Sequence, residues 1–387
     1  MQVTELDAPV TDVPVSLSER MAADDVRFVL AMVAGPDGRP RAKLVPADAV
    51  EEGVRVADRL AVPDPSSYMP LHAVRPGLAM VHCDPRVDGE PWPYAPRAIL
   101  RAQLDRLAGR GLTARVGAEA EYLLVRRDGE GAVAVADERN LTRVYDHLAE
   151  VSAALDGLGW AGTGRFEPAE PLATADRLVM FRYLVQVLAE RRGMTATFMA
   201  SPFAGRTATG LSLALSLWRD GEPLFPDRDG MSPLAYGFAG GLLAHAPALS
   251  AIVAPTVNSY KRTAPARATW SEGGTGTGHH VRMGGDRIVV RLGDGSADPY
   301  LATAVLLAAG LDGVDAGIDP RVGEGPELPP TLLHAVDELA ADEVVRTALD
   351  AAGAGVADRY RKGRREEFLA WQSQVTGWEI DRYLTAF

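Results

Sequence analysis

The spacing of apolar residues changes along the chain, and the change divides it. Val26-Arg27-Phe28-Val29-Leu30-Ala31-Met32-Val33 is a short apolar run that predicts a strand. It ends at Gly35-Pro36-Asp37-Gly38, whose residues suit a tight turn. A second extended stretch, Pro40 to Val45, makes the pair a hairpin. Between Val54 and Cys83, apolar runs alternate with Pro63-Asp64-Pro65 and Pro76-Gly77, which predicts further short strands. Residues 1–20 show no steady period and read as a loose arm. Asp84 to Pro96 carries four prolines and marks a boundary between a strand-rich domain, 1–92, and a larger one, 93–387.

Beyond that boundary the period lengthens. Ile99, Leu100, Leu104 and Leu107 recur at helical spacing, and Gly109 and Gly111 close the segment. Ala114 to Val125 reads as one strand. A helix is expected from Thr174, as N-cap with Asp176 in its first turn, to Gly193. Thr195–Met199, Gly210–Trp218 and Arg287–Leu292 read as strands. Asp298-Pro299 pairs an N-cap with a proline at the first helical position and opens a helix to about Gly310. Pro330 onward is mostly helical. Strands mixed with helices predict an α+β body.

Three strands carry chemistry on one face, because side chains two apart share a face. In Gly117-Ala118-Glu119-Ala120-Glu121-Tyr122, the two glutamates lie together. Adjacent carboxylates repel unless they are solvated, share a proton or hold a cation. In Arg287-Ile288-Val289-Val290-Arg291, the two arginines share a face with Val289 between them. They suit either an exposed edge or a phosphate or carboxylate clamp. In Gly210 to Leu217 all four leucines face one way, and Gly210, Ser212, Ala214 and Ser216 the other. A face of small residues means close packing or an open cavity, and periodicity does not choose between them.

Composition narrows the class. The 387 residues carry 40 Lys+Arg against 52 Asp+Glu, a net −12, which argues against a nucleic-acid-binding surface. No run approaches the ~20 apolar residues that span a bilayer, and Met1 to Asp25 lacks a secretory pattern. A single cysteine, Cys83, fits a reducing cytoplasm rather than a disulfide framework. Two of the seven histidines are adjacent, His279-His280, in a glycine-rich loop. They are either solvent-exposed or offer one general acid/base or metal ligand, since neighbours on an extended chain point apart.

Several motifs together resemble the glutamine synthetase family. Asn258-Ser259-Tyr260-Lys261-Arg262 resembles its NSYKR signature. Arg287-Ile288-Val289-Val290-Arg291, Asp298-Pro299-Tyr300-Leu301 and Ala309-Gly310-Leu311-Asp312-Gly313 are similar to its RIEVR, NPYL and AGLDG blocks. Ala196-Thr197-Phe198-Met199 resembles ATFMPKP, and Gly117 to Glu121 resembles GPEPE. The resemblance runs in order from Asp37-Gly38 to Trp378. It implies an N-terminal β-grasp domain and a C-terminal catalytic domain with a curved antiparallel sheet forming a funnel. It also implies ring-shaped homo-oligomers with sites between subunits. The implied chemistry uses ATP to turn a carboxylate into an acyl phosphate that an amine attacks, with two Mg²⁺-type cations neutralising charge.

Transferred residue by residue, the family pattern is incomplete. Glu119, Glu121 and Glu167 fall on metal ligands, while Gly159, Ser212 and Val289 stand where three further ligands belong. Ala214 replaces a second histidine. Arg262 matches the arginine that holds the substrate carboxylate, Arg287 and Arg291 match phosphate-side arginines, and Ser216 a nucleotide-pocket serine. The flap glutamate is missing where Thr263-Ala264-Pro265-Ala266-Arg267 runs on to Trp270. Gly274 to His280 replaces a segment that carries a transition-state arginine, and Arg282 is placed to replace its second arginine. The aspartate-glycine-serine segment of the ammonium site is deleted between Glu51 and Leu60.

The expectation is therefore a divergent ligase that joins a small carboxylate to an amine other than ammonia. Arg262, Arg291, His279 and His280 are its catalytic candidates, Arg287 and Ser216 its nucleotide contacts, and Glu119, Glu121 and Glu167 a reduced Mg²⁺ site. Two alternatives stay open: an ATP-independent cyclase, transferase or lyase in the same funnel, and a non-catalytic relative.

Overall fold

The structure, a computed structural model, describes residues 16–35, 39–128, 131–135, 141–160, 164–205, 208–228, 230–262, 266–273 and 278–387. Packing separates two units, the first holding described residues up to Val33 and Ala42–Gly89, the second Ala34–Arg41 and Glu90–Phe387.

The first unit opens with a short helix, α1 (Leu17–Ala23), where a loose arm was expected. Ser16 and Glu19 form a reciprocal capping box, and Leu17 and Met21 are buried, so a short amphipathic turn suffices to fix it. Six strands follow: β1 (Phe28–Ala34), β2 (Pro40–Pro46), β3 (Val54–Val56), β4 (Arg59–Pro63), β5 (Met69–Pro70) and β6 (Leu78–Val87). The sheet runs β2-β1-β6-β4-β3, with β1 parallel to β6. β1 and β2 neighbour one another as the hairpin requires, and its turn residues 36–38 lie outside the described residues. β6 continues through Val87, past the start of the expected boundary. Cys83 on this strand is fully buried.

The second unit holds β7 (Glu90–Pro91), α2 (Pro96–Ala108), β8 (Thr113–Ala120), β9 (Leu123–Asp128), β10 (Gly131–Ala134), α3 (Tyr145–Gly157), β11 (Arg165–Ala169), α4 (Pro171–Glu190) and β12 (Thr195–Thr197). Then come β13 (Leu211–Arg219), β14 (Glu222–Pro223), β15 (Pro226–Asp227), β16 (Gly230–Met231), α5 (Pro233–Ala244) and α6 (Ala246–Val253). The rest is β17 (Trp270–Glu272), β18 (Val281–Gly284), β19 (Arg287–Gly293), α7 (Pro299–Ala316), α8 (Leu332–Ala341), α9 (Glu343–Leu349), α10 (Val356–Gln372) and α11 (Gly377–Tyr383). The main sheet is ordered β11-β8-β13-β19-β18-β17, antiparallel except for the parallel β17–β18 pair. One face is buried: Leu211, Leu213, Leu215 and Leu217 are each at most 3% exposed.

Three expectations need correction. Ala114 to Val125 is two strands in two sheets, because the chain leaves β8 after Ala120 and β9 pairs with β10 and β12. Thr174 does not cap its helix. Glu170 does, accepting from the Ala173 amide ahead of Pro171, while buried Thr174 donates to the Val116 carbonyl at 2.7 Å. The helix that starts at Asp298-Pro299 runs past Gly310 to Ala316, where Gly317 closes it in the left-handed region. Gly310 and Gly313 lie inside it because α5 crosses there, and a Cβ on Gly313 would collide with the Gly237 carbonyl. The helices α3, α5 and α6 went unread; α5 and α6 are apolar on almost every side, so they lack a period.

Among the described residues no single helix is long and apolar enough to cross a membrane. One bent pair, α5 and α6 at 72°, passes by length and composition only, and it is mostly core.

Candidate functional site

The open face of the main sheet builds the site. Alternation on β8 buries Ala118 and Ala120 and exposes Glu119 and then Glu121, as the strand pattern predicted. Glu119 stands between Arg165 of β11 and Ser212 of β13 in the pairing register. Glu121 lies just beyond β8, and its carboxylate accepts from the Gly210 amide at 2.8 Å. Across the sheet, Ala214 faces Val289, and Val289 faces Arg282. The small residues of β13 thus divide: Ser212 and Ala214 are half-buried, and Ser216 is closed over.

One cavity of about 470 Å³ gathers six of the sequence-predicted residues: Glu119, Glu121, Arg262, Arg291, His279 and His280. Its floor includes Gly210, Leu211 and Ser212. Arg262 follows the single turn Ser259–Lys261 and donates from Nη2 to the Leu292 carbonyl at 3.0 Å. Its Nε is buried without a hydrogen-bond partner. Residues 263–265 and 274–277, where the flap and the glycine loop were compared with the family, lie outside the described residues.

The other three residues are not in that lining. Ser216 is 1% exposed; it accepts from Trp218 Nε1 at 2.8 Å, and the Arg115 guanidinium lies 4.1 Å from the Trp218 ring. Glu167 meets Arg287 Nη1 at 3.8 Å and Arg165 Nε at 3.9 Å. β11 and β19 are separated by two strands, so Glu167 and Arg287 reach each other over the open face. Arg287 also holds Asp286 at 2.9 Å. Among the described residues no three His, Cys, Asp or Glu stand where they could jointly hold a metal.

Two residues with a part in the site carried no sequence signal. Thr269 approaches Nδ1 of His280 with both its amide, at 3.2 Å, and its hydroxyl, at 3.1 Å. Gly210 was read only as part of a small-residue face, yet it fixes Glu121. Burial, Arg262 and His279 together hold the His280 pKa below its ordinary value.

Comparison with known proteins decides the family. The profile described as glutamine synthetase, catalytic domain, matches residues 164–383. The chain belongs to the glutamine synthetase family. A glutamine synthetase of Rhizobium leguminosarum bv. phaseoli is 34% identical over 412 residues, covering 90% of this chain and 94% of the relative. A glutamate–methylamine ligase of Methyloversatilis universalis is 30% identical, covering 97% of this chain and 100% of the relative. A solved structure titled GmaS/ADP complex superposes with a TM-score of 0.86 at 34% identity, covering 96% of this chain and 99% of that one. The α+β architecture with its curled sheet is therefore the glutamine synthetase fold, as the motif order predicted.

Proposed function

We propose that the chain is an ATP-dependent ligase that activates a small carboxylate and joins it to an amine other than ammonia. The observation that carries this is that Arg262, Arg291, Glu119 and Glu121 line one cavity. Relatives named glutamine synthetase and glutamate–methylamine ligase support the reaction class.

Arg262 holds the substrate carboxylate by a guanidinium fork. A carboxylate oxygen attacks the γ-phosphorus of ATP, the bond to the bridging oxygen breaks, and ADP leaves. Arg291, with Arg287 farther along the same face, meets the phosphate charge. The amine nitrogen then forms the C–N bond, the phosphate departs with the C–O electrons, and the surplus proton passes to it. Glu119 and Glu121 are the carboxylates that would hold one Mg²⁺, an ion usually bound by one or two carboxylates together with substrate phosphates and water. Bound there, it would supply charge neutralisation at the phosphate. Glu167, which meets Arg287 instead, would join them only by leaving that exposed pair. Ser212 and Val289 in place of larger ligands leave room for an alkyl group on the amine.

In this proposal residues 1–92 form the β-grasp-like domain and 93–387 the catalytic domain. The protein works in the cytoplasm as a ring-shaped homo-oligomer.

The test is ADP release with ATP, Mg²⁺ and L-glutamate, comparing ammonium, methylamine and larger primary amines. Alkylamine-dependent release exceeding that with ammonium is expected. Calorimetry that finds no nucleotide binding at millimolar ATP and Mg²⁺ overturns the proposal.

A further inference from the structure

His280 borders the cavity and is anchored through both its main chain and its ring. Its amide donates to the Thr269 carbonyl at 3.0 Å, and its carbonyl accepts from the Arg291 amide at 2.8 Å. The ring is oriented as well, by the Thr269 amide and hydroxyl at Nδ1. A main-chain amide can only donate, so Nδ1 is the acceptor and carries no hydrogen. In the neutral ring the hydrogen must then sit on Nε2.

That assignment removes two roles. Metal ligation through Nε2 needs a lone pair there, and the hydrogen occupies it. General-base action needs a free lone pair, and the ring's only one faces Thr269. What remains is Nε2–H, for which no described residue provides an acceptor. His280 borders the main cavity and also a small recess behind Arg262, so it stands beside that guanidinium. An imidazolium would be repelled there, whereas a neutral donor is not. The adjacent His279 is exposed, and no described residue anchors its ring in this way.

Resting on the ligase reading, the geometry points to His280 as a neutral donor from Nε2–H to an anionic oxygen of the ligand held at Arg262, with Thr269 as the positioning residue. It supplies, without charge, a contact of the kind that the missing loop arginine would make. The pairing of one fixed charge with one neutral donor suits a carboxylate or acyl phosphate oxygen.

Two measurements on the full-length protein test it. Nitrogen-15 NMR of histidine-labelled protein, between pH 6 and 8, is expected to report His280 with a pyridine-like Nδ1 and a protonated Nε2. L-glutamate is expected to shift the Nε2–H signal. Thr269→Val keeps the main-chain amide and is expected to keep this signature. The opposite tautomer, a titrating ring in that range, or no response to L-glutamate each overturns the assignment, whether or not the enzyme turns over. In the ligase assay, His280→Ala is expected to lower kcat about 100-fold, the usual cost of one such donor. His280→Gln, which keeps an N–H donor, is expected to restore most of it with an unchanged acidic limb of the pH profile. Gln no better than Ala overturns the donor role, while wild-type protein that releases no ADP with any amine overturns the ligase reading instead.

Discussion

Glu121 and Gly210 hold one another twice. The Glu121 amide donates to the Gly210 carbonyl at 3.0 Å, and the Gly210 amide donates back to Glu121 Oε2 at 2.8 Å. The bond to a charged acceptor is the stronger kind, so main-chain geometry sets where this carboxylate stands. The site's acidic side is therefore built before any ligand arrives.

Gly210→Ala disturbs that arrangement without touching the core. A Cβ there would lie 3.3 Å from Glu121 Oε2 and 3.8 Å from Arg262 Nη1. The carboxylate must give way, and outer supports of this kind are worth about 10–100-fold in metal affinity. The Mg²⁺ concentration for half-maximal ADP release is expected to rise about tenfold. The melting temperature is expected to stay close to wild type, and an unchanged Mg²⁺ requirement would mean that the pair does not position the ligand.

Outside the cavity lining, Arg97 and Asp176 form a bidentate ion pair, Nε to Oδ1 at 3.0 Å and Nη2 to Oδ2 at 2.8 Å. Both side chains are at most 4% exposed, and Tyr300 donates to Oδ1 at 2.6 Å. Removing one partner strands a buried charge. Asp176→Ala is expected to cost about 3–5 kcal/mol, and Tyr300→Phe about 2 kcal/mol. Urea unfolding of the two variants checks the order; equal losses would contradict it.

What the sequence made legible, and what it hid, divides along physical lines. Alternation on β8 and β13 was readable because one face of the sheet packs on a core and the other does not. Asp298-Pro299 was readable because cap and proline act locally, and the Asp298 side chain does accept from the Leu301 amide. Gly310 was misread because its role comes from a crossing helix, which no local pattern records. Asp176 looked like a first-turn acid and is instead the buried partner of a residue 79 positions away. Four of the six cavity residues came from motif order and the two histidines from their place in a glycine-rich loop; that Glu167 and Ser216 stand apart from them depends on the curl of the sheet and on the Trp218 ring.

The glycines at the crossing of α5 and α7 give a sharper contrast. A Cβ on Gly313 would meet the Gly237 carbonyl and the Gly241 main chain, and neither can swing away. Gly363, exposed within α10, has nothing within 4 Å. Gly313→Ala is expected to cost about 3 kcal/mol or to yield insoluble protein. Gly363→Ala is expected to gain about 0.5–1 kcal/mol from the lower cost of ordering alanine in a helix. Melting curves moving in the same direction for both would contradict the packing.

His245, at the bend between α5 and α6, bonds Asp342 through Nδ1 at 2.6 Å and Asp312 through Nε2 at 3.1 Å. Burial pulls its pKa down, but the two aspartates outweigh this and leave it raised above 6.5. For Asp342, burial raises the pKa and the bond from His245 overcomes it, leaving it below 3.8. A raised histidine contributes stability fully present below its unfolded pKa and lost as pH climbs through the folded one. A lowered aspartate contributes stability present above its unfolded pKa and lost as pH falls through the folded one. The gap in melting temperature between wild type and His245→Gln is therefore expected to be largest between about pH 4 and 6.5 and to shrink above that range. A gap that widens toward alkaline pH would reverse the sign.

The register also says how a fuller cation site would be rebuilt. Ser212 lies directly opposite Glu119, and Val289 directly opposite Ala214 on the next strand. Residues so paired have Cβ atoms about 5 Å apart, close enough for two side chains to share one ion. Ser212→His places an imidazole beside Glu119, and Val289→Glu adds a carboxylate one strand over on the same open face. Wild type is expected to bind one Mn²⁺ at Glu119 and Glu121 in the presence of nucleotide, and the double variant two. Calorimetric stoichiometry reads the difference directly. A double variant that stays at one ion would mean that the open face is too wide there, and that more than side-chain identity separates this site from a two-cation one.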